Sequence, residues 1–351
     1  MAENRKVRVA ITHGDTNGIG YELIFKTFAE PEMLELCTPV VYGSPKVAAY
    51  HRKALNSETA FSIISSADDI RDGRLNLLTC FDEEVKVELS VKSEEAVLAG
   101  VKALKKAIED SKDNCFDSLV LSPLSKNSEV KRQGLLMLMN ENLRVAFATA
   151  DIAQKDVASK ITKELVVKKA EILFEMLKRD LRITNPRVAV LSLNPDGNGV
   201  EETEAIIPAV KELVNADKQA FGPYTVTEFF GTGKYPSFDA VLAMYYDQGA
   251  APFHMLTSND GIALVAGLPI PCTMPLADDF HALAGKGQAD ENSFRHAIYT
   301  AIDIYRNRCV YDEATANPLP KLFHERRDES EKVRFSIPKK AGQESPKEEV
   351  E

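Results

Sequence analysis

Short apolar runs alternate with longer amphipathic segments along most of the chain. Several of the runs are apolar at consecutive positions, a pattern typical of parallel strands that are buried on both faces. Seven runs are predicted to be strands: Val7–Thr12, Pro39–Gly43, Ser118–Ser122, Arg144–Thr149, Arg187–Leu193, Ala240–Tyr245 and Ile262–Leu268.

Segments with helical spacing of apolar residues separate these strands. Residues 93–110, 156–179 and 204–214 place apolar side chains three or four positions apart. Shorter helices are predicted over Leu23–Phe28 and Leu135–Asn140. The alternation of strand and helix predicts the α/β class with a mainly parallel sheet.

Composition narrows the class of protein further. The 351 residues are 44% hydrophobic, which excludes disorder throughout and leaves two domains or one large α/β unit. No apolar run approaches the roughly 20 residues that span a bilayer, and no signal-peptide core precedes the first strand. The net charge of −10 argues against nucleic acid or an anionic membrane as the main partner. Residues 326–351 are polar and are predicted to be a disordered tail.

The cysteines and histidines give no framework of their own. The five cysteines include no CxxC pair, which indicates reduced thiols in a cytoplasmic protein. The six histidines form no HxH or HxxxH pair, so their spacing predicts no metal site.

A glycine-rich segment, Ile11–Glu22, connects the first predicted strand to the first helix. Its three glycines permit tight turns and close approach of the backbone to a ligand. The spacing is neither GxGxxG nor that of a Walker loop. Two interpretations therefore stay open, a binding loop and an ordinary strand-to-helix turn.

Further candidates follow other predicted strands, where α/β proteins bind ligands. Lys126 is either a contact for a phosphate or carboxylate, or an exposed loop lysine. Asp196 is either a metal ligand or a turn-forming residue. The pair Asp247 and Gln248 ends a buried strand, and packing alone does not explain it. Finally, the Gly285–Lys286–Gly287 segment suits either a phosphate contact or a helix-end turn.

In this order, these segments resemble one family, the 4-hydroxythreonine-4-phosphate dehydrogenases of the PdxA type. The resemblance extends from about Val7 to about Arg327 and rests on the motifs GDTNGIGYE, LNP, AMYYDQG, GLP and AGKG. The stretches LCTPVVYGSPKVAAYHRKAL and FRHAIYTAIDIYRNR resemble the Bacteroidetes-like branch.

The resemblance implies the isocitrate/isopropylmalate dehydrogenase fold, with two α/β/α lobes and a cleft between them. Residues 1–130 with 280–325 are expected to form one lobe, and residues 131–279 the other. The family is a cytoplasmic homodimer that uses NAD or NADP and a divalent metal (Zn, Mg, Mn or Co). Its reaction oxidises and decarboxylates 4-phosphohydroxy-L-threonine, a small phosphorylated hydroxy amino acid, during pyridoxal 5′-phosphate biosynthesis.

The chain departs from this family at the three metal-binding histidines, where Asp151, Asp196 and Tyr246 stand. The aspartates keep oxygen ligands for a hard cation. A phenol is a poor replacement for imidazole, because it stays protonated near pH 7.

The substrate contacts of the family are changed as well. Its GHTE segment is missing, because the chain reaches the predicted helix Leu135–Asn140 too soon to contain it. His254, Ala263 and Cys272 stand where the family has Lys, Asn and Arg.

Two functional hypotheses follow. Under the first, the protein is a PdxA-type dehydrogenase. Its catalytic residues are then Lys126 and Asp247, its metal positions are those named above, and its cofactor-binding residues are Asn194, Gly285, Lys286 and Gly287. Under the second, the protein is a catalytically silent or redirected member that keeps the fold and the dimer.

Overall fold

The structure is a computed structural model that describes residues 5–81, 84–124, 130, 133–257, 260–277 and 280–318. The chain divides into two compact units, Met1–Glu313 and Ala314–Glu351, and the sheet lies in the first. The strands are β1 (Val7–Thr12), β2 (Cys37–Gly43), β3 (Ser62–Ile64), β4 (Asn76–Thr79), β5 (Ser118–Leu121), β6 (Leu135–Met139), β7 (Arg144–Thr149), β8 (Arg187–Leu191), β9 (Gln219–Tyr224), β10 (Ala240–Tyr245), β11 (Ile262–Ala266) and β12 (Cys272–Pro275).

Helices connect most of these strands. The α-helices of the described residues are α1 (Gly20–Phe28), α2 (Pro31–Leu36), α3 (Pro45–Ala54), α4 (Glu94–Lys112), α5 (Val157–Lys160), α6 (Lys163–Arg179), α7 (Ile207–Asn215), α8 (Val226–Gly231), α9 (Tyr246–Leu256) and α10 (Asn292–Thr315). A π-helical turn, Glu202–Ile206, leads directly into α7. The prediction of an α/β protein is confirmed.

The twelve strands form one sheet in the order β3-β4-β2-β1-β5-β12-β11-β6-β7-β10-β8-β9. The strands from β3 to β12 in this order pair in parallel, and so do β7, β10, β8 and β9. Three antiparallel pairings, β12 with β11, β11 with β6 and β6 with β7, join the two parallel blocks. The mainly parallel sheet is therefore confirmed. The division into two lobes stays a prediction.

The predicted helix Leu135–Asn140 is wrong, because this segment is strand β6. All five residues of β6 are buried, and a short run of apolar residues fits a buried strand and a buried helix equally well. The turn after this segment distinguishes the two structures. The Asn140 side-chain oxygen accepts hydrogen bonds from the amides of Asn142 and Leu143, so the chain reverses into β7.

The predicted helix over 156–179 is divided in two. Helix α5 ends at Lys160, and α6 begins after Thr162, whose side-chain oxygen accepts a hydrogen bond from the Leu165 amide at 3.2 Å. Thr162 is therefore an N-cap, and it starts a new helix within the apolar pattern.

Two further findings concern membrane-spanning helices and disulfide bonds. No helix among the described residues is long and apolar enough to cross a membrane. All five cysteines are free: Cys37, Cys80, Cys115, Cys272 and Cys309.

Candidate functional site

Three adjacent parallel strands, β7, β10 and β8, end close to four of the predicted site residues. Asp151 follows β7, Tyr246 and Asp247 begin α9 directly after β10, and Asp196 lies in the loop after β8. The carboxyl ends of neighbouring parallel strands are the usual place for ligands in α/β proteins. The sheet therefore gathers these four positions at its carboxyl ends.

Asp247 and Gln248 take different roles at the start of α9. Gln248 is buried, and its side-chain oxygen accepts from the Met244 amide at 2.7 Å while its nitrogen donates to the Ser192 carbonyl at 2.6 Å. Gln248 thus ties the end of β10 to the end of β8. Asp247 is exposed in the first turn of α9, where the helix dipole favours its charge.

Tyr246, Asp151 and Asp196 stand where the resemblance places metal-binding histidines, and they differ in their exposure and contacts. The Tyr246 ring packs against Phe147 with 5.0 Å between ring centroids. Asp151 is exposed in the bend after β7. Asp196 is also exposed, and its Oδ1 lies 3.4 Å from the Asn198 amide, which is a turn contact. Of the two interpretations of Asp196, this contact favours the turn-forming one.

These residues do not fit the divalent metal of the family. Within the ranges that the structure describes, no group of three or more His, Cys, Asp or Glu residues could hold a metal ion. The donors at the three positions are two exposed carboxylates and a phenol that packs on an aromatic ring. We therefore derive no catalytic step through a metal.

Sequence reasoning missed the residue that organises the loop after β8. Glu202 is fully buried, and its two carboxylate oxygens accept hydrogen bonds from the amides of Leu193, Asn194 and Gly199 at 2.7–2.8 Å. The Asn194 side-chain nitrogen donates to Glu202 at 2.8 Å and to Glu201 at 3.0 Å. The amide side chain of Asn194 is thus already engaged within the loop.

The hydrogen bonds to Glu202 keep its carboxylate charged. Burial alone raises the pKa of Glu202, but the donors from Asn194 and Leu193 outweigh burial and lower it below the usual value. The only signal in the sequence is an acidic residue eight positions after Asn194, at the start of a helix.

Glu202→Gln is expected to lower the free energy of unfolding by about 2 kcal/mol, because an amide cannot accept at both ends and leaves a buried donor unpaired. Urea denaturation measures the loss, and hydrogen exchange at Leu193 and Gly199 localises it. Glu201→Gln is the matched control, since Glu201 accepts only one of these hydrogen bonds. Equal losses for the two variants would contradict the role of Glu202.

The Gly285–Lys286–Gly287 segment is an exposed turn, and both glycines have positive φ angles of 75° and 67°. Helix α1 holds this turn, because Lys26 donates to the Gly287 carbonyl at 2.9 Å. Glu22 accepts from the Ala289 amide, also at 2.9 Å. An exposed turn that carries a lysine and is hydrogen-bonded to a helix fits a phosphate group of a dinucleotide.

The glycine-rich segment after β1 is almost wholly buried. Asp15 Oδ2 lies 3.2 Å from His281 Nε2, and Asn17 donates to the Val91 carbonyl at 2.9 Å. The His13 ring stacks on Tyr21 at 5.2 Å. These contacts favour the interpretation as a packed strand-to-helix turn. Lys126 lies outside the described residues.

Comparison with known proteins identifies relatives along most of the chain. Residues 128–301 match the family model described as "Pyridoxal phosphate biosynthetic protein PdxA". The chain is 45% identical over 357 residues to the 4-hydroxythreonine-4-phosphate dehydrogenase of Bacteroides thetaiotaomicron, covering 95% of this chain and 98% of that relative.

More distant relatives align over similar lengths. The 4-hydroxythreonine-4-phosphate dehydrogenase of Sulfurihydrogenibium sp. is 31% identical over 325 residues, covering 86% of this chain and 99% of that protein. The crystal structure of a 4-hydroxythreonine-4-phosphate dehydrogenase from Burkholderia phymatum superposes with a TM-score of 0.68 at 26% identity, covering 86% of this chain and 99% of that chain.

Proposed function

The chain belongs to the PdxA family of pyridoxal phosphate biosynthetic proteins, and we propose that it is an NAD(P)-dependent dehydrogenase of a small phosphorylated hydroxy amino acid. The observation that carries this proposal is the alignment with the Bacteroides relative over nearly the full length of both chains. The substrate named for that relative, 4-hydroxythreonine 4-phosphate, is the first to test. We further propose that the protein works as a homodimer.

In this proposal the chain's own residues have separate tasks. Lys286, between its two glycines, would hold a phosphate of the dinucleotide, and the bound dinucleotide would supply the hydride acceptor for the oxidation. Asp247 is exposed in the first turn of α9 and accepts the proton of the substrate hydroxyl. Lys126 contacts the anionic group of the substrate.

A second candidate function rests on the donors at the metal positions. Two carboxylates and a phenol replace three imidazoles, and the phenol-bearing ring of Tyr246 packs on Phe147. This observation favours a PdxA-type protein whose reaction is redirected to another hydroxy acid, or one that binds ligands without turnover.

An activity measurement separates the two candidates. The purified protein is mixed with 4-phosphohydroxy-L-threonine and NAD or NADP, with Mn²⁺, Zn²⁺ or EDTA, while NADH or NADPH absorbance is followed. The proposal expects turnover, and Asp247→Asn is expected to lower kcat by about 10²–10⁴-fold, the range for loss of a general base. Asp156→Asn is the matched control, because Asp156 is also exposed and lies in the turn before α5.

Each outcome points to one candidate. Dinucleotide binding without turnover, measured by calorimetry, supports the second candidate and contradicts the first. Turnover that EDTA leaves unchanged supports a reaction without the family's metal. Analytical ultracentrifugation tests the homodimer independently of activity.

A further inference from the structure

A cavity of about 400 Å³ lies where β7 ends and the antiparallel β6 begins. Residues of α5 and α6 also line it. Its walls are mainly apolar and include Leu136 and Phe147 from the two strands, with Ile152 and Leu165 from the segments that follow β7. A cavity of this volume accommodates a small organic molecule, and apolar walls with a few polar groups are typical of ligand sites.

Two lysines and one carboxylate line the same cavity, so its lining carries a net positive charge. Lys169 is half-buried, and its Nζ donates to the Gly134 carbonyl at 2.7 Å. An ammonium has three donors, and a carbonyl does not neutralise its charge. Lys160 is exposed at the end of α5, and Asp151 is exposed after β7.

The surroundings of Lys169 disfavour its positive charge. Burial lowers the pKa of Lys169, and the positive charge of Lys168 on the same helix lowers it further. A bound anion would relieve both effects, because it would form a charge-assisted hydrogen bond in a partly desolvated site.

We propose that this cavity binds a small anion with an apolar body, such as a carboxylate or a phosphate monoester, whose charged group contacts Lys169 and Lys160. The apolar body lies against Leu136, Phe147 and Leu165. Among the described site residues, Asp151 lines the cavity, whereas Asp247 and Lys286 do not. Ligand binding here therefore does not depend on the proposed dehydrogenase reaction.

The binding test uses the full chain and the fluorescent anion 8-anilinonaphthalene-1-sulfonate, which has an apolar ring system. We expect saturable binding at one site per chain, with a blue-shifted emission. Benzoate and phenyl phosphate are expected to displace the probe, and their relative potency distinguishes a carboxylate from a phosphate ligand. Benzyl alcohol has a similar body without the charge and is expected to leave the probe bound.

Two variants of Lys169 and one control variant assign the site. Lys169→Met keeps the length of the side chain and is expected to weaken probe binding at least about tenfold, since hydrogen bonds to charged groups are the stronger class. Lys169→Arg is expected to restore most of the affinity. Lys178→Met, on the same helix but outside the cavity lining, is the matched control and is expected to bind as the wild type does.

A variant of the apolar wall guards against misfolding as an explanation. Leu165→Trp keeps both lysines and fills the apolar part of the cavity, so it is expected to abolish binding with an unchanged circular dichroism spectrum. The proposal is wrong if the wild type shows no saturable binding, if Lys169→Met binds as tightly as the wild type, or if benzyl alcohol competes as well as benzoate.

Discussion

Arg308→Met is expected to lower the free energy of unfolding by about 3–5 kcal/mol, because it leaves a buried carboxylate without its partner. Arg308 is 6% exposed and Asp180 is 3% exposed. The guanidinium donates to both carboxylate oxygens, at 2.7 and 2.8 Å. A third nitrogen donates to the carbonyls of Leu268 and Pro269 at 3.1 and 3.0 Å. One side chain therefore joins α10, the end of α6 and the turn after β11.

Urea denaturation of the wild type and the variant measures this loss. Arg179→Met is the matched control, because Arg179 forms an equally short two-point contact with Asp312 at the surface. Exposed ion pairs contribute about 1 kcal/mol or less. Adding Asp180→Asn to Arg308→Met removes the unpaired charge and is expected to recover part of the loss. A loss for Arg308→Met no larger than for Arg179→Met would show that the buried pair adds nothing to stability.

The sequence predicted the sheet better than its connections. All seven predicted strands are present, because each is a run of apolar residues too short for a helix and bounded by polar or turn residues. Strands β3, β4, β9 and β12 were not predicted. Three of them have only three or four residues, which give too little periodicity, and β9 contains Gly222 and Pro223, which weaken a strand pattern. Strand β6 was predicted as a helix, and only the turn at Asn140 distinguishes the two structures.

The family and its branch were also available from sequence. The ordered motifs identified the PdxA family, and the Bacteroidetes-like stretches agree with the 45% identical Bacteroides relative. The solved relatives confirm the expected isocitrate dehydrogenase-like fold. Several motifs in a fixed order identify a family where one short motif does not, because their joint occurrence by chance is improbable.

The arrangement of the site could be predicted only in part. Asp151, Asp196 and Tyr246 were each expected after a strand, but the order of strands along the chain is β7, β8, β10 and in the sheet β7, β10, β8. Pairing of distant strands leaves no local signal in the chain, so sequence alone does not place Tyr246 between the other two. The burial of Glu202 was not predicted for a different reason. Its donors lie nearby in the sequence, but the conformation of the loop that turns their amides toward the carboxylate leaves no periodic pattern.

Two buried histidines are expected to make the protein lose stability as the pH falls below about 6.5. Burial lowers the pKa of His13 to about 3, and the nearby His51 lowers it as well. Burial also lowers the pKa of His51 to about 4, although the hydrogen bond from its Nε2 to the Thr16 carbonyl, 2.7 Å, opposes this shift. Both rings pack on Tyr21, at 5.2 and 5.0 Å, so neither can reach water when it is protonated.

The direction of the effect follows from proton binding. Between the folded pKa values and about 6.5, the unfolded chain binds more protons than the folded chain, so the free energy of unfolding falls as the pH is lowered. The stabilisation that comes from keeping these two histidines neutral is complete above about pH 6.5. It is lost progressively as the pH falls toward the folded pKa values of about 4 and 3. At pH 5.5 each histidine is expected to cost about 1.4 kcal/mol relative to pH 8, and the two together about 3 kcal/mol.

Urea denaturation at pH 8, 6.5 and 5.5 measures this dependence in a range where carboxylates hardly titrate. His51→Gln replaces the ring with an amide that still donates to the Thr16 carbonyl but binds no proton. The difference between pH 8 and pH 5.5 is therefore expected to fall to about half in this variant. His254→Gln is the control, because His254 is exposed and its replacement is expected to leave the wild-type dependence unchanged. Two results would contradict this prediction: a wild-type stability that stays constant from pH 8 to pH 5.5, or a full pH dependence retained in His51→Gln. Either would mean that the charged rings are hydrated or paired, and that separating them from Tyr21 costs no free energy.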